Sequence, residues 1–216
     1  MEYLKRKDKK AHHPSPESNR GFTMIELLIA MAVGLVLLGA MYGVFTMHNK
    51  TFGTQERIAE MQQNARAAMD IMTREIRMAG YDPLDSAGAG IVNAGTGSIN
   101  FTLDITSTYG SDSPDGDTAD PNENITYSLY TADGIQKLGR KSQATAIIQP
   151  VAEYVQSLAF QYWDANGAAT TTAADVRRIQ VALTVQTDRP DPDYAPNSGY
   201  RTYTLTSVIT PRNLGF

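Results

Sequence analysis

One carboxylate, Glu26, lies inside an otherwise uncharged apolar run that covers residues 22–45. Such a run is long enough to cross the hydrocarbon core of a membrane, which is about 30 Å thick. An acid at the centre of a membrane helix costs about 2.5 to 3.5 kcal/mol, so it usually has a partner and a function. Glu26 is therefore a candidate pairing group. The alternative is a glutamate that reaches the lipid headgroups from one helical turn inside the span.

A second concentration of acids lies in residues 112–124, where Asp112, Asp115, Asp117 and Asp120 alternate around a glycine. Carboxylate oxygens are ligands that Ca²⁺ prefers, but the full EF-hand spacing and its closing glutamate are absent. These four acids are therefore a weak calcium candidate. The alternative is a solvated surface loop, which the Pro, Gly and Asp content explains without a metal.

Other site chemistry has little support. The chain has no cysteine, which excludes disulfides, thiol catalysis and cysteine-ligated metals. Its three histidines, His12, His13 and His48, lie before or just after the apolar run, where none can serve a site in the body. No phosphate-binding loop, nucleophile elbow or metal-binding histidine pair occurs. A hydrolase with two carboxylates would need no histidine, but nothing selects one, so we predict no enzymatic activity and no cofactor.

The net charge of -4 is unevenly distributed along the 216 residues. Residues 1–20 carry six Lys or Arg against three Asp or Glu, a net charge of +3, and the remainder carries 13 against 20, a net charge of -7. By the positive-inside rule, the basic head stays in the cytoplasm and the body lies across the membrane. An acidic body also argues against nucleic acid as the primary partner.

Helical periodicity continues beyond the apolar run. Gly80 is the predicted stop, and a Tyr-Asp-Pro sequence prevents continuation, so we predict one helix over residues 22–79, roughly 85 Å long. Apolar residues at steps of three and four mark one face of its second half: Ile58, Met61, Ala65, Ala68, Met69, Met72, Ile76 and Ala79.

The polar side of this second half carries a predicted i,i+4 pair, Asp70 and Arg74, with Arg66 and Glu75 nearby. We predict that the apolar face packs on a sheet. The alternative is a dimeric coiled coil, but the stripe lasts only about three heptads.

The remainder is rich in turn residues and short β-prone runs, which predicts an antiparallel sheet and an α+β fold. A turn is predicted at residues 164–167, directly after the strand over residues 154–163. Residues 188–194 are predicted to form another exposed turn. The predicted strands cover residues 99–105, 125–130, 154–163, 176–186 and 200–209.

The segment Arg20-Gly21-Phe22-Thr23-Met24-Ile25-Glu26-Leu27-Leu28 resembles the class III signal of type IV prepilins and type II secretion pseudopilins. The resemblance implies cleavage between Gly21 and Phe22, N-methylation of Phe22, and a role for Glu26 in assembly. Cleavage would create an amine, on the same chain or on a neighbour, with which Glu26 could pair. It also implies the pilin architecture, in which a long N-terminal helix has a membrane half and an amphipathic half packed on an antiparallel β-sheet.

The implied organisation has four parts: a basic leader over residues 1–21, a transmembrane or filament-core helix over 22–47, an amphipathic half over 48–80, and an extracytoplasmic β-rich domain over 81–216. The implied location is the bacterial inner membrane, as a single-pass protein, and then the pilus or cell surface. The implied partners are the membrane, the prepilin peptidase and methyltransferase, other pilins and minor pilins, and the inner-membrane assembly platform.

Residues 66–81 and 208–214 are similar to PilW-type minor pilins, which implies a minor pilin that joins or primes a type IV pilus. Two alternatives remain open at the level of the sequence. The first is a J-like minor pseudopilin of type II secretion, which shares part of the pattern. The second is a signal-anchored extracytoplasmic binding domain, in which Glu26 would be incidental.

Overall fold

The computed structural model describes residues 21–107, 113–142 and 147–215. The predicted leader, up to residue 20, and the calcium candidate Asp112 lie outside the described residues. The chain divides into two compact units, Met1–Lys50 and Thr51–Phe216. Helix α1, Met24–Met78, begins in the first unit and ends in the second. The bounds of the four predicted parts remain predictions.

In the first unit, α1 is apolar and exposed. It is the only helix among the described residues that is long and apolar enough to cross a membrane, judged by length and composition. Its large side chains lie open, and Phe22, just before the helix, is 90% exposed. An apolar surface of this extent is costly in water, so this half requires lipid or other apolar partners.

In the second unit, α1 buries the predicted face. Met61, Ala65, Ala68, Met69, Met72 and Ile76 all lie in the core, together with residues of the strands. The two alanines are fully buried, which lets the helix backbone approach the strands closely. The predicted α+β class, a long N-terminal helix packed on antiparallel strands, is therefore confirmed.

The strands form two antiparallel sheets rather than the single predicted sheet. The first sheet has the order β1-β2-β3-β4-β5 and the second the order β6-β7-β8. Short 3₁₀ turns, Ala173–Asp175 and Pro196–Gly199, precede β7 and β8. The strands are β1 Ile91–Ala94, β2 Ser98–Thr102, β3 Asn124–Ala132, β4 Ile135–Ser142, β5 Ile148–Glu153, β6 Val155–Trp163, β7 Arg178–Gln186 and β8 Thr202–Ile209.

The turn between β1 and β2 joins the sheets. The backbone N–H of Phe160 on β6 donates to the carbonyl of Thr96 at 2.8 Å, and the Tyr162 hydroxyl donates to the carbonyl of Gly95 at 2.8 Å. Burial raises the pKa of Tyr162 well above its usual value, which keeps this hydroxyl a donor. Both sheets and the second half of α1 therefore share one core.

One predicted strand and one predicted turn need correction. The predicted strand over residues 99–105 ends at Thr102, because Leu103 and Asp104 leave β2 to bond to Glu123 and Tyr81. The predicted exposed turn over residues 188–194 buries Asp191, which accepts hydrogen bonds from the Arg201 guanidinium at 2.9 and 3.2 Å.

Candidate functional site

The start of α1 is closed by a reciprocal hydrogen-bond motif between Thr23 and Glu26. The Thr23 backbone N–H and hydroxyl both donate to Glu26 Oε2 at 2.8 Å, and the Glu26 backbone N–H donates to Thr23 Oγ1 at 3.3 Å. This is a capping box, which satisfies N–H groups that have no partner within the helix. Sequence reasoning missed it, although the Thr-x-x-Glu spacing was the available signal.

The residues on either side of the predicted cut are open. Phe22 is almost fully exposed, and no atom lies within 4 Å of the position that a Cβ on Gly21 would occupy. Both residues precede the first helical residue, Met24. The peptide bond between them therefore lies outside the helix, between two exposed residues.

At its other end, α1 is closed by residues from distant parts of the chain. Gly80 has φ +78°, and its N–H donates to the Thr102 carbonyl at 2.9 Å. The Arg212 N–H donates to the carbonyl of Arg77 at 3.2 Å, and the Asn213 side-chain amide donates to the carbonyl of Met78 at 3.2 Å. The segments 66–81 and 208–214 therefore contact each other.

Glu75 forms a part-buried network with Arg140 and Tyr127, which are paired across β3 and β4 and so present their side chains to the same face. Arg140 Nε lies 3.0 and 2.9 Å from the two Glu75 carboxylate oxygens, and the Tyr127 hydroxyl donates to Oε2 at 2.5 Å. Burial raises the pKa of Tyr127 far above its usual value, and the adjacent Glu75 charge raises it further. The sequence places Glu75 near the polar pair Asp70 and Arg74, and the structure adds that its carboxylate joins the helix to the first sheet.

The acid-rich loop is ordered by two buried carboxylates, Asp104 and Glu123. Asp104 accepts the backbone N–H groups of Asp115 and Gly116 at 3.2 and 3.0 Å. Glu123 accepts those of Ile105, Thr106 and Asp120 at 2.8 to 3.1 Å.

Three of the four predicted calcium ligands meet at this loop. One carboxylate oxygen each of Asp115, Asp117 and Asp120 lies within 4.8 Å of the other two. Asp115 and Asp117 are exposed, whereas Asp120 is buried, so the alternative of a solvated surface loop does not hold for Asp120.

Comparisons with known proteins place the motif at the start of α1. Residues 18–42 match the family described as the prokaryotic N-terminal methylation motif. The chain therefore carries an N-terminal methylation motif. It is also similar to the pilin-like protein PilA3 of Thermus thermophilus, with 29% identity over 99 residues that cover 46% of this chain and 39% of the relative.

Among solved structures, a type IV-like pilin from Thermus thermophilus aligns with 71% of this chain and 98% of its own length. The TM-score is 0.46 and the sequence identity is 11%. The present chain thus spans well under half of its curated relative and most of a solved one.

The methylation motif implies processing by a prepilin peptidase. The motif lies at the start of the exposed apolar half of α1, which is long and apolar enough to cross a membrane, judged by length and composition. The assembly role of Glu26 and the position of the cut between Gly21 and Phe22 remain predictions.

Proposed function

We propose that this chain is a minor pilin of a type IV pilus, cut after Gly21 by the prepilin peptidase and then incorporated into the filament or used to prime it. The methylation motif over residues 18–42 carries the proposal. It lies at the start of a helix whose apolar half is exposed and whose second half is the core of a β-rich body. A chain built in this way is suited to wait in a membrane and then pack in a bundle of like helices.

The proposed sequence is membrane insertion, cleavage and assembly, and the charges determine the orientation at insertion. The basic leader remains in the cytoplasm while the acidic body crosses the membrane. The cut gives Phe22 an α-amine, which stays cationic near neutral pH and would be N-methylated. The assembly platform of the inner membrane would then move the chain into a filament of other pilins.

The Glu26 carboxylate can accept a hydrogen bond from this amine while it also caps the helix. Its Oε2 accepts both bonds from Thr23. An ionised carboxylate has about four lone-pair sites, so one more donor can be accommodated. The amine of Phe22, or that of a neighbouring chain, would supply that donor and lower the cost of an acid in an apolar bundle.

The assignment to a minor pilin of PilW type rests on the ends of the body. The segments 66–81 and 208–214 resemble that branch, and Arg212 and Asn213 bond to the last carbonyls of α1. We propose the boundaries 1–21, 22–47, 48–80 and 81–216 for the leader, the membrane half, the amphipathic half and the extracytoplasmic domain.

Replacement of Gly21 tests the proposal. Gly21→Val should block cleavage, leave the precursor at its full mass of 23.6 kDa, and prevent incorporation into pili. Mass spectrometry of the N-terminal peptide should find methylated Phe22 in the unaltered chain but not in Gly21→Val. Gly53→Val, a matched change within α1, should be processed normally. Normal processing of Gly21→Val would instead favour a signal-anchored binding domain.

Deletion of the gene distinguishes pilus from secretion. A minor pilin predicts loss of surface pili with intact export of secreted enzymes. The converse result, intact pili with lost export, would assign the chain as a J-like minor pseudopilin of type II secretion.

A further inference from the structure

The acid-rich loop brings three carboxylates together in the body, far along the chain from the processing motif. Oxygens of Asp115, Asp117 and Asp120 all lie within 4.8 Å of one another. Ca²⁺ binds oxygens at about 2.3 to 2.6 Å, so two ligands of the same ion are separated by at most about 5 Å. We propose that Asp115, Asp117 and Asp120 form a calcium-binding site in the extracytoplasmic domain.

The burial and hydrogen bonding of Asp120 are a second, independent observation. Only 8% of its surface is exposed, and its Oδ2 has no hydrogen-bond donor among the described residues. Buried carboxylate oxygens are almost always hydrogen-bonded or bound to a metal, because an isolated buried charge is very costly. Glu123, three residues later, shows the usual arrangement, since its carboxylate accepts several N–H groups. A bound cation would give Asp120 the partner that Glu123 already has.

The backbone around the three acids is held in place. Asp104 fixes two successive N–H groups at residues 115 and 116, and Asp117 Oδ1 accepts the Ala119 N–H at 2.8 Å. Gly116 has φ +93°, and a Cβ there would lie 2.4 Å from the Ser86 hydroxyl oxygen. These contacts restrain the loop, so binding an ion would need little further ordering.

The local charge favours a cation. The carboxylates of Asp115 and Asp117 lie beside that of Asp120, so three acids converge on one point. The site offers carboxylate oxygens, and no histidine or cysteine occurs in the body, which suits Ca²⁺ rather than Zn²⁺. With a partly exposed set of three acids, we expect a dissociation constant on the order of 10⁻⁴ M, typical of extracellular calcium modules.

Calorimetric titration of the detergent-solubilised full chain with CaCl₂ tests the site. We expect saturable binding of one ion per chain and a Tm that rises with millimolar CaCl₂ and returns with EDTA. Asp120→Asn and Asp117→Asn should each weaken calcium binding by about tenfold or more, since each removes a charged ligand. Asp133→Asn is the matched control, because Asp133 is an exposed acid at the far end of β3, and it should bind as the unaltered chain does.

If a variant binds no calcium, its stability in EDTA shows whether it has lost the site or has failed to fold. In EDTA, Asp120→Asn should be as stable as the unaltered chain or more so, because the repulsion between the acids is reduced. In millimolar CaCl₂ the order should reverse. Absence of calcium binding in the folded unaltered chain, an equal response to MgCl₂, or unchanged affinity in Asp120→Asn would each overturn the proposal.

Discussion

The two ends of α1 are closed in opposite ways. At the start, Glu26 bonds to Thr23, three residues away, and both side chains are exposed. Towards the other end, Glu75 bonds to residues 52 and 65 positions along the chain, Tyr127 and Arg140. The first end depends only on its own turn, whereas the second depends on the folded body.

This difference separates two uses of a glutamate on one helix. Glu26 keeps the helix start ordered whatever surrounds it, which suits a segment that must pass from membrane to filament. Glu75 is 27% exposed and Arg140 is 11% exposed, so their interaction is less screened by water than a surface pair. We therefore expect mutations at Glu75 to affect folding, and mutations at Glu26 to affect assembly.

The largest expected effect is at the Glu75–Arg140 pair. Glu75→Ala or Arg140→Ala should each lower the free energy of unfolding by about 3 kcal/mol, because removal of one partner leaves the other charge part-buried. Urea denaturation of the detergent-solubilised chain, followed by fluorescence of its single tryptophan, Trp163, measures this.

The neighbouring ion pair Asp70–Arg74 is the matched control. These side chains are 55% and 76% exposed, so their coupling in a double-mutant cycle should be about 0.5 kcal/mol or less. The cycle for Glu75 and Arg140 should give a clearly larger coupling. Equal couplings in the two cycles would remove the distinction between a local and a non-local end of α1.

A smaller effect is expected at Gly80, where α1 ends. Its φ of +78° is unfavourable for other residues, and a Cβ would lie 2.6 Å from the Leu214 side chain and 3.3 Å from the Asn213 carbonyl. Gly80→Ala should therefore destabilise the body by about 2 kcal/mol. Gly97→Ala, where a Cβ meets no atom within 4 Å, should cost far less in the same urea denaturation. A similar loss in both variants would contradict this account.

The sequence predicted the parts of the fold that have a local period. The buried face of α1 followed from steps of three and four residues, and the alternation of apolar residues located β2, β3, β6, β7 and β8. The pattern failed for β4, where Gly139, Arg140 and Ser142 are buried together with Leu138, so apolar residues do not alternate. A Cβ on Gly139 would lie 2.4 Å from the Ile148 side chain, so the close approach of β5 requires a glycine at this position.

The candidate sites divide in the same way. The processing motif and the Thr23–Glu26 cap lie within a few residues, so spacing contains the signal. The ordering of the acid-rich loop by Asp104 and Glu123 depends on pairings across β2 and β3. No short spacing encodes that pairing, and the sequence therefore indicated a solvated loop.

The next smaller effect is at Glu26, where two substitutions distinguish its role in the helix cap from its proposed pairing with an amine. Glu26→Gln keeps a side-chain acceptor for the cap but removes the charge, so it should leave amide exchange at residues 24–27 unchanged and reduce pilus incorporation. Thr23→Ala keeps the charge but removes the cap, which costs about 1 kcal/mol and should speed that exchange about fivefold. Hydrogen exchange in micelles and electron microscopy of pili measure the two outcomes. Normal incorporation of Glu26→Gln would exclude the pairing of its charge with an amine.

The smallest expected effect is a pH dependence of the free energy of unfolding. It compares two buried acids of one loop: Glu123 accepts hydrogen bonds from several donors, whereas Asp120 Oδ2 has no donor among the described residues. Because burial and nearby carboxylates raise the pKa of Asp120, the folded chain holds that proton more tightly than the unfolded chain. Its contribution to stability is complete below the usual aspartate pKa of about 3.9 and is lost as pH rises through the raised value. In EDTA, the free energy of unfolding should therefore decline more steeply with pH in the unaltered chain than in Asp120→Asn. Equal slopes in urea denaturations across this range would mean that Asp120 is as well partnered as Glu123.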